Sequence, residues 1–326
     1  MLFLCDFAYG ARVLGRVKNW LTRRFWRTRY ADFDRYTARV NWLRSPLVVR
    51  LYINPQISGR ADQGWLAWLR EKYFPQPAER GLSLGCGRGA LERRAVELNL
   101  CRALDACDLS PDAIAGAQAN AERAGLADRL RFFVADLNAL ELAPASYDLI
   151  LCPMSLHHVR ELERLFAQAR AALKPGGLLA LNEYVGPAQF QWPEKQLRYA
   201  NELLQRLPER CRRNLDPSWW RRLLEPYRED VRRRPRWRVA AEDPSESVRS
   251  AEIVPLLERE FIIVERRDYG GTLLQLVLDR IVGNFQDTEE DRRVLTLLCQ
   301  AERALIQAGE LTSDFTLILA RPKPAT

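Results

Sequence analysis

The stretch Leu82-Ser83-Leu84-Gly85-Cys86-Gly87-Arg88-Gly89 decides the fold. Alternating apolar residues run into three glycines spaced two apart and then into a helical pattern. That is how a β-strand reads when it ends in a tight elbow and hands over to a helix. Glycine tolerates positive φ at such an elbow and removes the Cβ atoms that would keep a ligand off the backbone. A glycine triplet alone also marks ordinary turns, so the reading rests on the residues downstream of it.

Working outward, Ala103 to Leu109 is a second apolar run, and its acid, Asp108, stands 23 residues after Gly85. This is the distance expected for the end of the next strand in a βαβ unit, where an acid can grip a ribose diol. A third run, Leu130 to Asp136, again ends in an acid, placed to accept a hydrogen bond from an adenine amino group. A fourth, Tyr147 to Cys152, stops before Pro153. Each acid alone would serve equally as a helix N-cap or a solvated strand end. Leu173-Lys174-Pro175-Gly176-Gly177 reads as a helix stop leading into a fifth strand that ends at Tyr184. Phe261 to Glu265 suits a sixth strand, and Phe315 to Ala320 a seventh that can pair antiparallel with the sixth. Helical patterns at 88–98, 111–124, 159–173 and 248–259 fall between them. The expected fold is α/β: a Rossmann-like doubly wound seven-stranded sheet, mostly parallel with an antiparallel last strand. Ligands of such sheets lie outside the carboxyl ends of the strands, where all the residues singled out so far stand.

From Gly81 to Tyr184 the chain resembles the class I S-adenosylmethionine-dependent methyltransferases, on LSLGCGRG, CDLSPDAI, VADL, YDLILC, LHHV and LKPGG. A nicotinamide dehydrogenase needs the same turn and the same ribose acid. Its fingerprint, however, is G-x-G-x-x-G where this loop is G-x-G-x-G, and LKPGG before a fifth strand is no part of it. The resemblance implies S-adenosylmethionine as cofactor. Gly85, Cys86, Gly87 and Gly89 would hold its methionine part, Asp108 the ribose hydroxyls, Leu109 one adenine face and Asp136 the adenine amino group, with Leu137 beside it. It also implies that the segment of His157 and His158 lines the cofactor and the acceptor pocket.

Two residues compete as the base that takes a proton from an acceptor. His157, with a reference pKa of about 6.5, suits proton transfer near neutrality, whereas Glu183 at the end of the fifth strand would need its pKa raised. His158 reads as a helix-start residue or a member of the acceptor pocket. Tyr184, Gln191 and Trp192 follow the fifth strand and are candidates for the pocket wall. Glu246 and Arg249, neighbours across a helical turn, are candidates to bind a polar acceptor such as a sugar, with an N-cap at Ser245 or Ser247 as the plainer reading of that segment.

The chain has 326 residues, a net charge of +8 and a pI of about 9.3. Residues 1–64 read as an N-terminal helical extension, and 65–326 as the methyltransferase domain with a helical lid inserted at about 187–247. Lysines are scarce among the 50 basic residues, and the cluster Arg232-Arg233-Arg234-Pro235-Arg236-Trp237-Arg238 reads as a solvated lid face more readily than as a nucleic-acid site. Seven cysteines without a C-x-x-C pair argue against a zinc site and against a disulfide framework, and they fit buried thiols of a reducing cytoplasm. No metal is expected. Met1 to Tyr30 mixes apolar residues with arginines, as does a helix packed across the domain or one lying at the inner face of a membrane. EYVGP, DPSESVRS and YGGTLL are similar to a bacterial subgroup associated loosely with cell-surface glycan loci. The function expected from these features is methylation of a hydroxyl on a sugar or other polar small molecule, including a lipid-linked glycan precursor. Two alternatives stay open: an RNA methyltransferase or RNA-associated factor using the arginine-rich lid, and a catalytically silent cofactor-binding partner subunit.

Overall fold

The computed structural model describes residues 40–324, so the helix expected between Met1 and Tyr30 lies outside the described residues. The strands are β1 (Ala78–Leu84), β2 (Cys101–Asp108), β3 (Leu130–Val134), β4 (Tyr147–Pro153), β5 (Leu173–Tyr184), β6 (Phe261–Gly270) and β7 (Phe315–Pro322). They form one seven-stranded sheet in the order β3-β2-β1-β4-β5-β7-β6. Strands β1 to β5 pair in parallel. Strand β7 runs antiparallel between β5 and β6, as the sequence patterns lead one to expect, and it completes a Rossmann-like fold. The strand order reverses between β1 and β4, so a crevice opens at their carboxyl ends.

Side chains alternate across the central strands because the strand period is two. Leu149, Leu151, Ala180, Leu317 and Leu319 enter the core on one face, while Ile150, Cys152, Leu179, Leu181 and Ile318 enter the core on the other. Helices Ala90–Glu97 and Pro111–Arg123 cover the first face, and Leu162–Ala172 and Ile253–Glu260 the second. Burial on both faces is why these strands read as unbroken apolar runs. The LKPGG stretch is a bulge rather than a free turn. Leu173 already pairs with Tyr147 and Leu178 pairs with Leu149, and the register shifts between them.

Residues 40–64 contribute to the same core as the sheet: Trp42, Val48, Tyr52 and Ile57 are buried in it, and the Trp42 ring meets Phe315 of β7 edge-on at 5.2 Å. The segment 187–247 is helical, with helices Glu194–Arg206, Trp219–Leu224 and Arg236–Glu242. The first of these puts Leu197, Ala200 and Leu204 into the core.

The YGGT segment at the end of β6 has a structural cause. Gly270 and Gly271 have φ of 79° and 77°, and a Cβ on Gly270 would collide with Glu302 Oε1 and the Tyr52 hydroxyl. Glu302, on helix Glu289–Gln307, is wholly buried and accepts from the N–H groups of Gly271 (2.8 Å), Leu273 (2.5 Å) and Leu274 (2.9 Å). Burial holds its pKa above the ordinary carboxylate value, against the pull of those N–H groups. Glu302→Ala leaves three buried donors without partners and is expected to cost about 3 kcal/mol in chemical unfolding. Glu302→Gln keeps an acceptor oxygen and should lose less. Equal stability of the alanine variant and the wild type would show that the turn does not depend on this carboxylate.

Candidate functional site

The elbow after β1 is shaped by what its glycines touch. Gly85 has a φ of 80°, and a Cβ there would strike the Cβ of Ser155; Gly89, with a φ of 73°, lies 3.0 Å from the Phe132 ring by the same measure. The N–H groups of Gly85 and Cys86 donate to Cys107 O at 2.8 and 2.9 Å, fastening the elbow to β2. At the end of β2, Asp108 accepts from Gly87 N through one oxygen and from Ser110 N through the other, each at 2.9 Å. Burial lifts its pKa, while those N–H groups and the charge of His158 pull it down. Asp136 accepts from Asn138 N at 3.0 Å, and Asn138 Oδ1 in turn accepts from Arg160 N at 2.8 Å, which joins the loops after β3 and β4. Gly85, Cys86, Gly87, Asp108, Leu109, Asp136 and Leu137 all line one cavity of about 2560 Å³, whereas Gly89 is not among its lining residues.

The loop after β4 closes the other side of that cavity, and a single carboxylate organises it. Glu183 at the end of β5 is fully buried. Its Oε2 accepts from Ser155 N (2.8 Å) and Leu156 N (2.7 Å), and its Oε1 from Tyr184 N (2.7 Å) and from His157 Nδ1 (2.5 Å). Both oxygens are thus fully engaged, and Glu183 has no oxygen to offer an acceptor. The sequence made it a candidate base; in the fold it holds the loop after β4 in place. Ser155 also donates its hydroxyl to Leu84 O at 2.7 Å, so the same loop is pinned to the end of β1.

His157 and His158 line the cavity with ring centroids 4.2 Å apart, and their environments drive them in opposite directions. Burial opposes a charge on His157, but the charge and hydrogen bond of Glu183, aided by Glu246 and Asp243, outweigh it and raise the pKa to about 9. Near neutrality this surrounding favours the protonated form of His157, the residue that the sequence offered as a base. Burial and the neighbouring His157 charge hold His158 below its ordinary 6.5. Its Nδ1 lies 3.2 Å from Ser245 Oγ, and Ser245 Oγ donates to Asp243 Oδ1 at 2.7 Å. Since the hydroxyl proton goes to Asp243, the hydroxyl oxygen receives Nδ1–H, and the lone pair of neutral His158 falls on Nε2. Glu246 Oε1 stands 3.8 Å from His157 Nε2. Among the described residues His157, His158 and Glu246 each place a ligand atom within 4.8 Å of the others, a spacing a cation could bridge.

Of the other sequence candidates, Tyr184 and Trp192 line the cavity; Trp192 stacks on Phe190 at 5.1 Å, and Phe190 meets Tyr184 edge-on at 5.4 Å. Gln191 and Arg249 are not among the lining residues. Gln191 commits its amide to Gln189 O and Arg234 O, both at 3.0 Å. Arg249 clasps Glu163 (2.7 Å) and Glu252 (2.6 Å), and it donates to Arg160 O at 2.6 Å. Glu246 lines the cavity without it. Tyr269 and Glu92 are among the lining residues to which the sequence reading gave no role. Tyr269 donates to Asn182 Oδ1 at 2.6 Å, joining the ends of β6 and β5. Glu92, on the helix after the elbow, is wholly buried and accepts the Ser83 hydroxyl at 2.6 Å. An acid on the buried stripe of Ala90–Glu97 was the available signal.

Residues 82–177 match the family model described as a methyltransferase domain. This stretch is a class I S-adenosylmethionine-dependent methyltransferase domain. Over 128 residues, 39% of this chain, it is 34% identical to an uncharacterized protein of Synechococcus sp., covering 30% of that protein. A ubiquinone/menaquinone biosynthesis C-methyltransferase of Cereibacter sphaeroides is 25% identical over 40% of this chain and 53% of its own. The 27-O-demethylrifamycin SV methyltransferase of Amycolatopsis mediterranei is 32% identical over 33% of this chain and 39% of its own. The chain thus spans about half the length of these curated relatives or less. A solved S-adenosylmethionine dependent methyltransferase from Mesorhizobium loti superposes with a TM-score of 0.43 and 21% identity, over 79% of this chain and 96% of that one.

The cofactor of this domain is S-adenosylmethionine, and the residues present fit it. The elbow leaves no room for a Cβ at Gly85, Asp108 faces the same cavity, and Glu92 Oε2 is buried in the cavity wall without a hydrogen-bond partner. An orphaned carboxylate oxygen suits the ammonium of the methionine part. Burial, against the Ser83 hydrogen bond, raises the Glu92 pKa to about 7. S-adenosylhomocysteine should raise the thermal midpoint by mass action, and Asp108→Ala should weaken that response strongly. Glu92→Gln should weaken affinity roughly tenfold. Because the ionised carboxylate is the form that attracts an ammonium, wild-type affinity should fall as pH drops through about 7, while the Gln variant stays flat. Titration calorimetry at several pH values checks this, and identical pH dependence in both proteins would remove Glu92 from the cofactor site.

Proposed function

We propose that this chain methylates a hydroxyl of a polar small-molecule acceptor, of the sugar or glycan-precursor kind, with His158 receiving the proton. The observation that supports this reading is the relay Asp243–Ser245–His158. It holds a neutral imidazole at the wall of the cavity that Asp108 also lines. The names of two relatives, a C-methyltransferase of quinone biosynthesis and a 27-O-demethylrifamycin methyltransferase, agree with a small organic acceptor.

When bound, S-adenosylmethionine supplies a methyl group made electrophilic by its sulfonium. The chain's own residues supply alignment, a proton acceptor and exclusion of water. His158 receives the hydroxyl proton, Ser245 and Asp243 hold the ring, and the charge that develops on it is met by Glu246. Tyr184, Phe190 and Trp192 form an aromatic wall that keeps water out. His157 stays protonated on Glu183 and keeps its neighbour's pKa low, so that His158 remains a neutral acceptor through the physiological range. The arginines of the lid do not favour RNA, because Arg232, Arg233, Arg234 and Arg238 each pair with a nearby carboxylate.

His158→Asn should lower turnover roughly a hundredfold on the acceptor found by mass spectrometry of cells lacking the protein, and it should leave the S-adenosylhomocysteine thermal shift intact. The neutral imidazole is the active form and its pKa lies below 6.5, so the wild-type rate should hold level down to pH 6.5 and fall only below it. A rate that instead climbs through about pH 9 would identify His157 as the base. Near-normal turnover of His158→Asn with an unchanged profile would eliminate the histidine.

A further inference from the structure

Large apolar side chains stand in solvent around the mouth of the cavity. On helix Trp219–Leu224, Trp219 is 69%, Leu223 73% and Leu224 74% exposed; on helix Arg236–Glu242, Trp237 is 73% exposed. The helical period orders the first group. Trp220 and Leu224, one turn apart, line the cavity, while Trp219 and Leu223, also one turn apart, form the adjacent stripe outside it. An apolar ribbon therefore runs without interruption from the cavity wall to the outer surface. Arg221 and Arg222 occupy the remaining side of the same helix. Arg221 lies over the Trp220 ring at 5.1 Å, and the second helix carries exposed Arg236 and Arg238 beside Trp237. Exposed tryptophan and leucine grouped with arginine is the composition of a surface that sits at the boundary of lipid headgroups and acyl chains.

We infer that this ribbon seats the segment 217–238 on an anionic membrane surface, with the cavity mouth turned toward the bilayer. The chemistry selects this partner over the others. Leucines add nothing to base stacking, which disfavours a single-stranded nucleic acid, whereas they add apolar area at a lipid boundary. Most arginines between Pro217 and Arg238 pair with carboxylates, whereas Arg222 and Arg236 form no salt bridge to a described carboxylate and complement anionic headgroups. Seated in this way, the domain meets a lipid-linked acceptor without the acceptor's apolar part having to enter water. That last step rests on the methyl-transfer reading, whereas docking itself does not.

The test uses the full chain and sedimentation with vesicles of equimolar phosphatidylglycerol and phosphatidylcholine, against vesicles of phosphatidylcholine alone. The wild type should partition onto the anionic vesicles, and less so as salt is raised. The triple variant Trp219→Ser, Leu223→Ser, Trp237→Ser changes only side chains outside the cavity lining. It should lose roughly tenfold or more in partitioning while keeping the S-adenosylhomocysteine thermal shift, which certifies its fold. Three results would overturn the inference: a wild type that ignores both kinds of vesicle, a triple variant that binds as tightly as the wild type, or a wild-type dimer that the triple variant dissociates. The last would make the ribbon an interface between copies. Because sedimentation needs no turnover, a failure of docking is distinguishable from a failure of methyl transfer.

Discussion

Everything at the functional end of the sheet depends on one buried carboxylate. Glu183 gathers three backbone N–H groups and an imidazolium, and in doing so it fixes the path of the chain from Ser155 to His158. A carboxyl group so deeply buried would be costly without partners; four donors around its two oxygens satisfy it where it is. The consequences spread outward. Ser155, held by Glu183, reaches Leu84 O and occupies the space that a side chain on residue 85 would need. The cofactor elbow and the acceptor wall are therefore two sides of one packed joint.

The same carboxylate separates the two histidines chemically. Adjacent in sequence and almost touching in space, they receive opposite pKa shifts, because one faces Glu183 directly and the other faces the first. Pairs of titratable groups driven apart by their surroundings are how one pocket obtains both a fixed charge and a proton acceptor at the same pH. In the mechanism we propose, the fixed charge is His157 and the acceptor is His158.

The sheet was legible because each of its signals is local. The period-two runs, the glycine elbow and the strand-end acids Asp108 and Asp136 lie within a few residues of the structures they specify, and the antiparallel partner of β6 stood out as an apolar run. The surroundings of the candidate bases were not legible. Whether His157 or Glu183 faces solvent or is satisfied within the protein depends on a pairing 26 residues apart, and the tautomer of His158 depends on Ser245, 87 residues away. Arg249 misled for a related reason: its partner across a helical turn was visible in the sequence, but Glu163 on a distant helix claims it. Glu302 and the paired glycines at 270 and 271 are the same kind of case. The glycines stood out, but the group that requires them comes 31 residues later.

The order of strands carries a further consequence for how the molecule assembles. β7 sits between β5 and β6 although it follows both in the chain, so β5 has no neighbour on that side until residues 315–322 arrive. Until then Glu183 and Tyr184 belong to an edge strand with open hydrogen-bonding groups, and the joint they organise is exposed to water and to foreign strands. The joint around Glu183 and Tyr184 is thus completed only when β7 is in place. Every signature of the cofactor loop can be translated and folded while the acceptor side still waits for its closing strand.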